Sequence, residues 1–105
     1  MILHLDMYEE FGSFCGSGDD ARRFRRERID PYLTLATHID LDFEGVTNAN
    51  SSFCNALVTN LISQNSAEIL QRIRFLNCAP NLRVMLRGSV DLGLAQLDLR
   101  ATHPA

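Results

Sequence analysis

The sequence predicts a single α/β domain: a small, mainly parallel or mixed β-sheet with helices packed on it. Short stretches in which apolar residues alternate with period 2 recur near residues 1–8, 37–43 and 72–77. Between them lie stretches whose apolar residues return every three or four positions, the spacing of a helix with one buried side. Strand and helix thus alternate along the 105 residues, the pattern of a sheet whose strands are joined by helical crossovers. No internal repeat or low-complexity linker divides the chain, so residues 1–105 make one domain with one core.

Taken in order, Leu3, Leu5 and Met7 alternate with Ile2, His4, Asp6 and Tyr8, which marks Met1 to Tyr8 as the first strand. From Phe11 to Gly18, three glycines and two serines make a loop. Asp19 and Asp20 precede an arginine-rich run to Ile29. Acids at the start and cations beyond suit the dipole of a first helix, with Ala21, Phe24 and then Arg28 or Ile29 facing inward. Pro31 has no N–H to donate and either kinks that helix or starts a further turn. Thr37 to Phe43 is the second strand, with Ile39, Leu41 and Phe43 on one face, parallel to the first if a helix joins them.

A second helix spans about Ser51 to Gln64, with Phe53, Ala56, Leu57, Asn60 and Leu61 along one buried side. Asn65-Ser66-Ala67-Glu68 reads as a cap with an acid three residues on, opening a short helical turn. Arg72 to Asn77 is the third strand, Ile73 and Phe75 inward, Arg72 and Arg74 outward. Pro80 suits the first position of a last helix, whose stripe is Leu82, Met85, Leu86, Val90 and Leu94. Gly93 reads as a point of fraying or breakage, and residues 100–105 as a loose tail.

An apolar fraction of 46% and a charged fraction of 22% are ordinary for a globular protein. No apolar run approaches the roughly 20 residues that cross a bilayer, and the opening Met-Ile-Leu-His-Leu-Asp lacks the basic and apolar regions of a signal peptide, so the expectation is a cytoplasmic protein with no membrane partner. Cys15, Cys54 and Cys78 are odd in number and widely spaced, the usage of reduced, mostly buried thiols. Cys54, near a helix start, is the one candidate for reactivity. A net charge of −3 makes no case for nucleic acid.

The stretch Thr37 to Leu57 carries the functional signal. A strand ends at Glu44-Gly45-Val46, a polar loop follows, and a helix opens on Asn50-Ser51-Ser52. Hydroxyls and backbone N–H groups there stand at the carboxyl end of a strand and the positive end of a helix, where open α/β sheets meet ligands or partners. The phenylalanine after Asp42, then Gly45-Val46, then Asn50-Ser51-Ser52-Phe53 resembles the STAS-like domain family of bacterial proteins, relatives of the anti-sigma-factor antagonists and of the STAS domain of sulfate transporters. The resemblance covers about residues 16–95. In antagonists the loop reads Asp-Ser-Ser-Gly and a partner kinase phosphorylates one serine; Asn50 and Phe53 depart from that pattern. The resemblance implies a STAS-like fold with about four strands. It also implies a protein partner of the histidine-kinase-like ATPase or anti-sigma-regulator class, contacted through Asn48, Asn50, Ser51, Ser52 and Phe53, with Ser51 and Ser52 as candidate phosphoacceptors.

Three other constellations compete. His38, Asp40 and Asp42 share one face of the second strand, and His4 and Asp6 one face of the first; if the strands pair, these O and N donors could surround a divalent metal, or form a water-facing polar side. Arg22, Arg23, Arg25, Arg26 and Arg28 cannot all lie on one helical face and are bracketed by acids, so a salt-bridged surface helix stands beside docking to an acidic partner. Gly16-Ser17-Gly18-Asp19 before a helix hints at a phosphate cradle but has no P-loop lysine and no dinucleotide spacing. No nucleophile, base and acid can be grouped into a mechanism. The sequence reading is therefore a non-enzymatic signalling module without a cofactor; a His/Asp ligand or metal site, or a homodimer through a sheet edge or the last helix, is the alternative.

Overall fold

The computed structural model describes residues 1–102. The chain begins with β1 (Ile2–Asp6), and Asp6 then caps a short helix, α1 (Met7–Phe11), its carboxylate accepting from Glu9 N at 3.1 Å. The first strand is therefore shorter than its alternation suggests, and Met7 continues the inward side from a helix. The glycine-rich loop holds a two-residue strand, β2 (Phe14–Cys15). Ser17 caps α2 (Gly18–Phe24) through Asp20 N at 3.1 Å, and the helix continues into a wider π turn, Arg25–Ile29, before Pro31 sits in a 3-10 turn, Asp30–Tyr32. Next come β3 (His38–Asp42), the two-residue β4 (Asn48–Ala49) and α3 (Ser51–Cys54). A second π turn, Asn55–Thr59, leads into α4 (Asn60–Ser63), so residues 51–63 form one continuous rod. A 3-10 turn, Ala67–Gln71, then β5 (Ile73–Leu76) and α5 (Pro80–Thr102) complete the described chain. Ser66 precedes the 3-10 turn without making a side-chain cap bond, so the expected turn forms but not by the expected cap.

The sheet has order β1-β3-β5 and is parallel throughout. Because parallel neighbours in register share a face, Leu3, Ile39 and Ile73 form one apolar row and Leu5, Leu41 and Phe75 the next. His4, Asp40 and Arg74 form the row on the opposite face. The core lies on the apolar side, where Leu5, Ile39, Leu41, Phe43, Phe53 and Leu57 are all nearly or wholly buried. All-parallel sheets usually have both faces covered. Here the second face is a polar ladder that covers itself with its own ion pairs.

Residues 51–63 are the centre of the helical layer, packed between α2 and α5. One buried side was expected. Instead Phe53, Cys54, Ala56, Leu57, Val58, Thr59, Leu61, Ile62 and Ser63 are all buried, so burial extends over most of the circumference and leaves only the side of Ser52, Asn55 and Asn60 partly open. The stripe of α5 is as expected at Leu82 and Leu86, with Met85, Val90 and Leu94 half-buried. Gly93 does not break this helix. A Cβ there would stand 2.9 Å from the Ile62 side chain and 3.1 Å from the Thr59 carbonyl, so glycine lets α5 lie directly on the central rod. Residues 100–102, expected in a loose tail, are helical; the rest of that tail, 103–105, lies outside the described residues.

Arg25 is the buried member of the arginine cluster, at 2% exposure. It stands in one π turn and its Nε donates to the Ala56 carbonyl in the other at 3.3 Å, while Nη1 donates to Asp30 at 2.9 Å and to Gln64 Oε1 at 3.1 Å. The inward stripe of this helix is thus Ala21, Phe24, Arg25 and Ile29, with Arg28 exposed. A π turn widens the helix and loosens its carbonyl ladder, and a buried guanidinium with three acceptors fastens the two widened turns together.

Candidate functional site

The loops that follow β1 and β3 are joined side by side. Phe14 and Cys15 pair in parallel with Asn48 and Ala49, and Thr47 donates to the Ser13 carbonyl through its N at 2.8 Å and its hydroxyl at 3.0 Å. From α5, Asn81 Nδ2 donates to the Thr47 carbonyl and to Asn48 Oδ1, both at 3.1 Å. The polar loop is therefore pinned from two directions, and it presents Asn48, Ser51 and Ser52 to solvent at the carboxyl end of the strands.

Asn50 is the hinge of this arrangement. Its Oδ1 accepts from Phe53 N at 2.9 Å and caps α3, while its Nδ2 donates to the Gly16 carbonyl at 2.8 Å. An aspartate could cap the helix equally well but would turn an acceptor toward that carbonyl. The second demand explains the amide where the antagonist pattern has an acid. Phe53 is wholly buried, its ring edge-on to Phe11 at 4.9 Å, and Phe11 in turn packs on Phe24 at 5.2 Å. Of the five residues expected to meet a partner, Phe53 is thus corrected to the core: the first turn of α3 points it under the sheet's rim. Asn50 is half-buried and acts by positioning.

The structure also brings together two features that are separate in sequence. Gly18, from the glycine-rich loop, approaches Ser52 so closely that a Cβ on it would fall 2.4 Å from the Ser52 hydroxyl. Beside this contact lies a cavity of about 420 Å³ walled by Ser17, Gly18, Asp19 and Arg22 on one side and by Ser52, Asn55 and Asn60 on the other. Arg22 and Asp19, both in its wall, form an ion pair at 3.1 Å. Asn55 reaches from the cavity wall to α5, its Oδ1 accepting from the Ser89 hydroxyl at 3.0 Å. The signal for Asn55 and Asn60 was their amide groups three and eight residues after Ser52, on a helix most of whose other positions are apolar.

The remaining candidates resolve differently. His4 stands between Asp40 at 3.8 Å and Asp42 at 3.5 Å, but Arg74 takes Asp40 in a bidentate pair at 2.6 and 2.9 Å. Asp42 accepts from Asn77 and from Glu44 N, both at 3.0 Å, and Asp6 caps α1. Asp40 thus has both of its oxygens engaged by Arg74. Among the described residues no group of three such side chains is placed to hold a metal ion; His4, Asp40 and Asp42 lie together on the polar face of the sheet, with His38 on the same strand face, and Asp6 caps α1. The Arg74 hydrogen bonds hold the Asp40 carboxyl below the usual range, and the Asn77 and Glu44 bonds do the same for Asp42.

Cys54 is wholly buried, and burial pushes its thiol up to about 11. Burial, with Cys54 alongside, does the same for Cys15. Cys54 is accordingly a core residue rather than a reactive thiol. Arg23 and Arg28 pair with Asp20 and Glu10, so most of the arginine cluster is spoken for by neighbouring acids.

A parallel three-stranded α/β sheet with a pinned, hydroxyl-bearing loop at its carboxyl rim defines a STAS-like module. A family described as a STAS-like domain of unknown function (DUF4325) matches residues 20–83, and the chain belongs to that family. The match takes in the loop, the central rod, β5 and the first turn of α5. No curated protein and no solved structure matches the chain. Among the described residues, no helix is long and apolar enough to cross a membrane. A STAS-like domain fits a regulatory module in general terms.

Proposed function

We propose that this chain is a non-enzymatic bacterial signalling module that binds a protein partner through Asn48, Ser51 and Ser52, together with the exposed side of the helix toward Asn60. The observation that carries this reading is the fixed presentation of two exposed serines on a loop pinned by β2, Asn50 and Asn81. A pre-organised loop spends little ordering entropy on binding. The partner class, by family resemblance, is a histidine-kinase-like ATPase or an anti-sigma-type regulator. Phosphate on Ser51 or Ser52 gates the contact by adding about −1.5 to −2 charges at the loop.

The direct test is calorimetric titration of purified kinase-like ATPases and anti-sigma-type regulators from the same organism into the wild-type chain, Ser51→Glu and Ser52→Glu. Binding by the wild type that falls at least tenfold (about 1.4 kcal/mol) in either variant supports the reading. Equal affinity for all three removes the gate, and no binding by any such protein removes the partner class. Mass spectrometry after incubation with a binding ATPase and ATP then identifies the modified serine.

A further inference from the structure

We infer that the groove between β5 and α5 binds a free organic anion with a short apolar body. β5 is the end strand of the sheet, so no further strand of the sheet lies beside Phe75. Phe75 and Cys78, both half-buried, form one wall of a cavity of about 320 Å³ there, and Arg83, Leu86, Arg87 and Val90 form the other. These four positions fall on a single face of α5, at the three- and four-residue spacing of helical neighbours. The volume lies at the lower end of the range for small-molecule sites, enough for one short chain or one ring.

Charge selects the occupant. Among the described residues, neither the Arg83 nor the Arg87 guanidinium has an ion-pair or hydrogen-bond acceptor, whereas Arg22, Arg23, Arg25, Arg28 and Arg74 are each paired with an acid. No acid stands in the wall of the groove. Asp91, a turn beyond Arg87, lies outside it, as does Asp42, which is already bound by Asn77 and by Glu44 N. Burial pushes the Cys78 thiol up and Arg83 draws it partly back, so that positive charge acts on the groove's own wall. Arg83 and Arg87 are one helical turn apart, close enough to contact one carboxylate or phosphate together, and a guanidinium fork fits either head group. A neutral ligand would leave both charges unpaired, and a cation would be repelled. The apolar body follows from Phe75, Leu86 and Val90, whose side chains offer no hydrogen bond to a polyol or a base. A chain of net charge −3 is poorly drawn to an anionic bilayer, so the source is a dissolved small molecule. The site shares no residue with the serine loop and stands independently of the partner proposed for it.

Calorimetric titration of octanoate, octyl phosphate, 1-octanol and octylammonium into the full chain tests both the charge and the apolar body. At least one of the two anions is expected to bind roughly tenfold or more tightly than octanol, and octylammonium not at all. The double variant Arg83→Gln, Arg87→Gln changes two exposed side chains and should keep the wild-type circular dichroism. It should erase the preference for the anion while leaving octanol binding as it was. Cys78 supplies a local readout, because Cys15 and Cys54 are buried. The anion that binds should slow its alkylation by iodoacetamide, and octylammonium should not. Failure of both anions to bind, equal affinity for anion and octanol, an unchanged preference in the double variant, or alkylation indifferent to the bound anion overturns the proposal.

Discussion

A single amide carries much of the loop. Asn50 both donates and accepts, so Asn50→Asp keeps the cap but loses the bond to Gly16, and it is expected to lower stability by about 1–2 kcal/mol in denaturant unfolding. A loss near zero would mean that the Gly16 contact contributes little. Phe53→Ala removes the ring that meets Phe11 and should cost about 3–5 kcal/mol, the range for a buried aromatic, with no Ser51 or Ser52 chemistry involved. On the sheet face, Asp40 is held in its charged form by Arg74. A carboxyl whose folded pKa is depressed contributes stability above its unfolded value, near 3.9, and loses it as pH falls through the folded value. The melting temperature should therefore drop on acidification below about pH 4, and Asp40→Asn should flatten that drop while lowering the plateau above it.

At the level of elements, the two facing π turns and the α5 crossing make the sharpest claims. Arg25→Met leaves the Ala56 carbonyl and Asp30 without their buried donor. An expected loss of about 1–3 kcal/mol follows, chiefly because the buried Ala56 carbonyl is left without its donor, Asp30 being partly open to water. Gly93→Val would gain helix propensity but drive its side chain into Ile62; overpacking of this kind costs about 1–3 kcal/mol and should show as a lower unfolding midpoint with unchanged slope. These were also the elements least visible in sequence. Strands, helices and the parallel connection follow from periodicity, because period 2 and period 3.6 are local properties. The π turns, the burial of Arg25 and the tolerance of Gly93 depend on what a neighbouring helix brings, and no local pattern records it. The same holds for β2 and β4, two-residue strands that exist only because two loops meet.

For the molecule as a whole, the rim position of Asn48, Ser51 and Ser52 was readable from the strand-loop-helix order, since the end of a strand fixes where its loop emerges. The cavity shared by Gly18 and Ser52 was not, because its two walls are more than thirty residues apart and neither is informative alone. The ion pairing of the polar face was hidden for a related reason. His4, Asp40 and Asp42 do converge, but the third strand supplies Arg74 on the other side of Asp40, and a pattern of ligand types cannot reveal a competing cation on another strand.

The rod at the centre is apolar over most of its circumference, with Ser52, Asn55 and Asn60 on the remaining side, so little of it is comfortable in water without its neighbours. Its last turns are sheltered by α5, most of which lies beyond the matched family segment. Cutting the chain at residue 83 would keep nearly all of that segment yet strip the shelter from Leu61 and Ile62. Such a fragment is expected to bind hydrophobic dye and precipitate instead of folding, which makes the terminal helix an obligatory part of the smallest soluble unit.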